Sequence, residues 1–257
     1  GFVTKEGTPT SHTAILARAL GVPAIVATGE DVDYAYDGKT AVIDGFSGTV
    51  YLEPTPGVLS VMKEKQDQSI RLKQLLQELK GVPSETKDGR RIEVAANVSS
   101  AADLAAVLKN DAEGIGLFRS EFIYMGRDTL PSEEEQFNIY KLAVETMTGK
   151  RVIIRTLDIG GDKDASAFHL PKEENPALGM RAIRISLKRP EIFKTQLRAI
   201  LRASAFGKIA IMFPLITSVW EVWKAKEILD EVKLDLDKKG IAYDHQIHIV
   251  IMIETPS

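Results

Sequence analysis

The chain has 257 residues, 44% of them hydrophobic and 27% charged, with a formal net charge of -3. That suits one or two soluble domains with a buried core and speaks against nucleic acid as a partner. The absence of cysteine excludes disulfides and thiolate metal sites and fits a cytoplasmic location, and no apolar run approaches the roughly 18 residues that span a membrane.

Residues 1–53 alternate glycine turns with short apolar runs. AVID (41–44) and GFSGTVYL (45–52), punctuated by Gly45 and Gly48, read as a hairpin. One short helix is expected near residues 12–20, which makes this a small α/β domain. Residues 54–86 form a connector. Pro54, Pro56 and Gly57 break the pattern, and a helix is expected from about Val58 to Lys80, stopped by Gly81 and Pro83. Its apolar stripe (Val58, Met62, Leu72, Leu75, Leu76, Leu79) lapses between Met62 and Ile70. That favours a linker helix packed along one face over a coiled coil.

From residue 87 onward strand and helix alternate. Strand-like runs are RIEVAANV (91–98), GIGLFR (114–119), RVIIRTLDI (151–159), IAIMFPLI (209–216) and IHIVIMIE (247–254). Ser132 with Glu135, and Ser218 with Glu221, have the spacing of capping boxes that open helices. Nearly all-apolar strands alternating with helices predict a parallel sheet covered by helices. Five strands can be counted, and a closed barrel of eight would need three more. Gly1 in place of a methionine, and an end that reads as a strand entering a loop, suggest an internal piece of a longer protein.

Two constellations carry chemistry. In Thr10-Ser11-His12-Thr13-Ala14 the first two residues are good N-caps and AILARAL is a good helix. His12 therefore falls at or just before a helix N-terminus, where free N–H groups and the dipole favour an anion. A phosphoryl group on an imidazole nitrogen is such an anion. A histidine that only caps a helix would have the same neighbours. The second constellation is at strand ends: Arg119 closes GIGLFR, Arg155 and Asp158 lie in RVIIRTLDIGGDK, and Glu254 closes IHIVIMIE. In parallel barrels chemistry gathers at the C-terminal strand ends. Arginine forks suit phosphate or carboxylate, and a carboxylate suits Mg²⁺. A solvated loop charge is the alternative for each residue singly. Gly160-Gly161-Asp162-Lys163 lacks the spacing of a P-loop, and Lys163 is a further candidate for contact with phosphate.

TSHTAILARALGVPAIVATG resembles the phosphohistidine motif of Enzyme I of the phosphoenolpyruvate-dependent sugar phosphotransferase system. Its relatives, pyruvate phosphate dikinase and phosphoenolpyruvate synthase, share that motif. Thr8 and Pro9 stand where the family usually has Gly and Arg. GIGLFRSEFIYMGRDTLPSEEEQF, RTLDIGGDK, PKEENPALGMRAIRISL and LRAILRASAFGKIAIMFPLI are similar to the family's barrel, in order, and RSEFIYMGRDTLPSEEEQF favours the Enzyme I branch. The resemblance implies a fold of three parts: a swivelling phosphohistidine domain (1–53), a linker helix (54–86) and the first strands of a TIM-type (β/α)8 barrel (87–257). It also implies transfer of a phosphoryl group from phosphoenolpyruvate to His12, with pyruvate leaving, and then to a histidine-containing phosphocarrier protein. Arg119, Arg155 and Arg181 would hold substrate, Glu254 would be the first of two Mg²⁺ ligands, and the intact protein would be a homodimer through the barrel. Other readings are a dikinase or synthase relative, or a phosphoenolpyruvate-binding sensor without catalysis. This stretch alone is expected to be inactive.

Overall fold

The computed structural model describes residues 1–8, 11, 13–14, 17, 21–161, 166–170 and 173–256, with the side chain of Tyr34 excepted. The chain divides into two compact units, Gly1–Leu79 and Lys80–Ser257.

In the first unit, β1 (Phe2–Val3) pairs in parallel with β2 (Ala24–Ile25), and β3 (Ala41–Asp44) pairs antiparallel with β4 (Thr49–Leu52). The expected hairpin forms because Asp44 organises its own turn. Its Oδ1 accepts from the Phe46 and Ser47 amides at 3.0 and 3.4 Å, and its carbonyl accepts from Gly48 N. Gly48 takes φ +72°, which a side chain would strain. The amide of Phe46, above all, holds the Asp44 carboxyl below its usual range. Helix α1 (Pro56–Glu78) follows, opened by Thr55, whose hydroxyl accepts from Val58 N at 3.4 Å, and by Pro56 at the first position. Its apolar stripe is not covered within this unit: Leu72, Leu75, Leu76 and Leu79 are all more than half exposed. The helix expected near 12–20 lies largely outside the described residues. Of it, Thr13, Ala14 and Ala17 are helical, and Ser11 Oγ accepts from Ala14 N at 3.4 Å, the bond an N-cap makes.

The second unit is an α/β layer. Five strands, β5 (Ala96–Val98), β6 (Gly114–Arg119), β7 (Arg151–Arg155), β8 (Ile209–Phe213) and β9 (His248–Ile251), pair in parallel in sequence order. Between them run α2 (Leu104–Lys109), α3 (Glu133–Thr146), α4 (Ala182–Lys188), α5 (Pro190–Ser204) and α6 (Val219–Lys238). Parallel neighbours need such crossovers, and the helices supply the cover that buries Ile115, Phe118, Val152, Ile154, Ile211 and Phe213. Phe118 stands edge-on to Tyr140 of α3, and Phe213 edge-on to Phe193 of α5. Both capping boxes form: Ser132 Oγ accepts from Glu135 N and Ser218 Oγ from Glu221 N, and each glutamate accepts from its serine amide in return.

The strands are shorter than the apolar runs, for identifiable reasons. In 91–98 only the last three residues are strand, and Ile92 and Val94 are exposed. In 151–159 the ladder gives way after Thr156 because the Leu157 amide donates to Gln196 Oε1 at 2.9 Å. In 209–216 it stops at Pro214, which has no N–H. Glu254 does not close a strand; it lies three residues beyond β9.

Candidate functional site

Arg119 and Arg155 are the last residues of β6 and β7, and the ladder sets them in register side by side. Arg155 is in turn level with Met212 of β8. Successive parallel strands thus bring two guanidinium groups to one end of the sheet. Arg119 is half-buried, and among the described residues it has no ion-pair or hydrogen-bond partner. Its five donors are available to a ligand.

Arg155 is held firmly. It is 7% exposed, and Nη2 donates to the carboxylate of Glu121, itself 2% exposed, in the turn just after β6. Nη1 lies 3.1 Å from Asp158 Oδ2 and 3.6 Å from Met252 Sδ. Asp158 then accepts from Arg181 Nη2 through Oδ1 at 3.1 Å. Glu121, Arg155, Asp158 and Arg181 form one chain of alternating charge. Ions buried this deeply are tolerated only when paired in this way. Arg155 Nε is buried without a hydrogen-bond partner among the described residues, a donor left for water or ligand.

Arg181 immediately precedes α4, and its loop is closed locally. The Glu173 carboxylate accepts from Met180 N at 3.0 and 3.1 Å, and Arg184 Nη1 donates to the carbonyls of Leu178 and Gly179. A Cβ on Gly179 would lie 1.9 Å from Glu173 Oε2, so no other residue fits there without opening the clasp. Beyond β9, Met252 N donates to Phe213 O and Glu254 Oε1 accepts from Leu215 N at 2.7 Å. The Met252 thioether against Arg155 therefore ties the segment carrying Glu254 to the arginine cluster.

Behind the cluster stands a neutral polar network. Gln196 of α5 accepts from Leu157 N and donates to Ser120 Oγ at 2.9 Å and to Tyr140 OH at 3.1 Å. Gln136 accepts from Tyr124 OH at 2.9 Å. Burial pushes the phenols of Tyr124 and Tyr140 up, so both stay protonated. This network pins the segments that follow β6 and β7, the two that carry Glu121 and Asp158.

Arg119, Arg155, Arg181 and Glu254 all lie on the loops and strand ends just described. His12 and Lys163 lie outside the described residues. Glu121 and Met252 are the site components that the sequence alone does not single out.

Residues 73–257 match the model of the PEP-utilising enzyme, PEP-binding domain, and residues 1–48 match the PEP-utilising enzyme, mobile domain. The chain belongs to the PEP-utilising enzymes. Among curated members, it is 49% identical to the phosphoenolpyruvate-protein phosphotransferase of Staphylococcus carnosus, 47% to that of Bacillus subtilis and 46% to that of Haemophilus influenzae. Each match covers the whole chain but 45% of the relative. This member of the PEP-utilising enzymes therefore spans less than half the length of those proteins. No described helix is long and apolar enough to cross a membrane.

Proposed function

We propose that the chain is the phosphohistidine and substrate-binding part of a phosphoenolpyruvate-protein phosphotransferase acting in the cytoplasm. Residues 1–53 would be the swivelling domain, 54–86 the linker and 87–257 the first five strands of a TIM-type barrel. The observation that carries the reading is the arginine cluster at adjacent strand ends, in a chain that aligns throughout with proteins of that name. Phosphoenolpyruvate bears a phosphate and a carboxylate. Arg119 offers an unengaged fork, and Arg155 and Arg181 are guanidinium groups fixed in place by Glu121 and Asp158.

Glu254 fits a Mg²⁺ site of the kind that takes few protein carboxylates. It is an exposed hard oxygen donor whose Oε1 accepts from Leu215 N. When bound, the metal would neutralise negative charge on the substrate. The imidazole of His12 attacks phosphorus. The P–N bond forms as the bond to the enol oxygen breaks, and pyruvate leaves as its enolate. The arginines stabilise charge on the transferring group, and positioning supplies much of the rate. Phospho-His12 then passes the group to a histidine of the phosphocarrier protein. One imidazole serving two partners requires the 1–53 domain to move, with the linker as hinge. The complete protein would dimerise through the barrel.

The test is labelling with isotopic phosphoenolpyruvate and Mg²⁺. The full-length protein should acquire an acid-labile, base-stable phosphate, lost in His12→Ala. The 257-residue chain alone should remain unlabelled. Undiminished labelling of His12→Ala would defeat the reading.

A further inference from the structure

We infer that Glu121 is a positioning residue for phosphoryl transfer, acting by fixing the plane of the Arg155 guanidinium. The inference rests on the reading that Arg155 binds the substrate.

Glu121 lies in the 3-10 turn Ser120–Ile123, which begins one residue after β6 ends. A glutamate in a surface turn normally points to water, but this one is 2% exposed. Removing a carboxylate from water is costly without a cation to meet it, and among the described residues Arg155 is a cation that it meets. The turn itself is rigid. The Glu121 carbonyl accepts from the amides of Tyr124 and Met125 at 2.9 and 3.1 Å, and the preceding Ser120 hydroxyl is held by Gln196.

An arginine bound at one terminal nitrogen can still swing its fork. Arg155 is bound at both: Glu121 at Nη2 and Asp158 at Nη1. Two anchors on different nitrogens leave the plane no freedom. Asp158 is shared with Arg181, so it cannot set Arg155 by itself. Glu121 supplies the second anchor from a different strand end, which makes the orientation of Arg155 depend on the β6–β7 pairing.

The charge on Glu121 also opposes an incoming anion. Its benefit is therefore geometric, and a neutral acceptor of the same shape should preserve most of it. A misplacement of about 1 Å can cost on the order of 100-fold in rate.

In the full-length protein, kcat and KM for phosphoenolpyruvate are measured for Glu121→Ala, Glu121→Gln, Arg155→Ala and the Glu121→Ala/Arg155→Ala pair. Thermal midpoints are followed to normalise for folded protein. Glu121→Ala should lower kcat/KM about 100-fold, with KM raised, whereas Glu121→Gln should stay within about 10-fold of the parent. With Arg155 already removed, Glu121→Ala should cost less than about 3-fold, because the partner it acts through is gone. A loss that lowers only the folded fraction at unchanged KM, or one that adds fully to that of Arg155→Ala, overturns the inference. If Arg155→Ala impairs transfer while Glu121→Ala does not, the inference fails and the proposed function stands. If Arg155→Ala transfers normally, the inference fails together with the assignment of Arg155 to the substrate, while the phosphotransferase reading still stands or falls with His12→Ala.

Discussion

Gln196 shows how a single side chain holds the site from behind. It faces inward from α5, is 1% exposed, and satisfies Leu157 N, Ser120 Oγ and Tyr140 OH together. Gln196→Leu keeps the volume but leaves the Leu157 amide without its acceptor and removes the donor shared by the Ser120 and Tyr140 hydroxyls. It should lower unfolding free energy by about 1–3 kcal/mol, read by urea denaturation; an unchanged midpoint would show that those groups find water instead. At this scale the candidate site is partly legible in sequence. Arg119 and Arg155 stand out because each follows an apolar run and interrupts it with charge. Glu121 does not, because nothing in Arg-Ser-Glu-Phe distinguishes a buried carboxylate from a solvated one. Its burial follows from where β7 places Arg155, 34 residues later.

At the scale of elements, α3 is the clearest case of local sequence deciding structure. Ser132 and Glu135 close their capping box, and the Ser132 amide, Arg127 and the Ser132 hydroxyl hold the Glu135 carboxyl down to about 2 from 4.5. A carboxyl depressed in the folded state stabilises it above the unfolded value, and that contribution is lost as pH falls towards the folded value. The Glu135 contribution should therefore be complete above about pH 4.5 and vanish towards pH 2. Glu135→Gln should flatten the dependence of unfolding free energy on pH within that window, and denaturation at a series of acid pH values reads it. Identical slopes for parent and variant would contradict the assignment. The strand ends are less legible. RVIIRTLDI gives no sign that a glutamine 39 residues away takes over the Leu157 amide. RIEVAANV gives no sign that its first half lies at the exposed edge.

At the scale of the whole molecule, the described residues of the two units differ in how much they bury. Among the described residues of Gly1–Leu79, Ala17 alone is a buried apolar residue, whereas β6, β7 and β8 lie within a continuous core. Local opening is easier where few apolar contacts must be broken. Amides of β3 and β4 should exchange with deuterium at least about 100-fold faster than those of Val152–Arg155, measured by hydrogen-exchange mass spectrometry. Equal protection would mean that the hairpin is stabilised beyond what the described residues of its unit supply.

The sequence by itself determined the α/β alternation, and through it a parallel sheet, with the two capping boxes and the hairpin turn, because the pattern of each element and cap depends on residues a few positions apart. It also carried the family's motifs around His12, Arg119, Arg155 and Arg181. Only the tertiary structure decided which carboxylates meet those arginines, where each strand yields to its loop, and that Met252 links the Glu254 segment to Arg155. Those outcomes depend on pairing between residues dozens of positions apart, and the side chain that wins a buried partner is selected by the packing of the whole sheet.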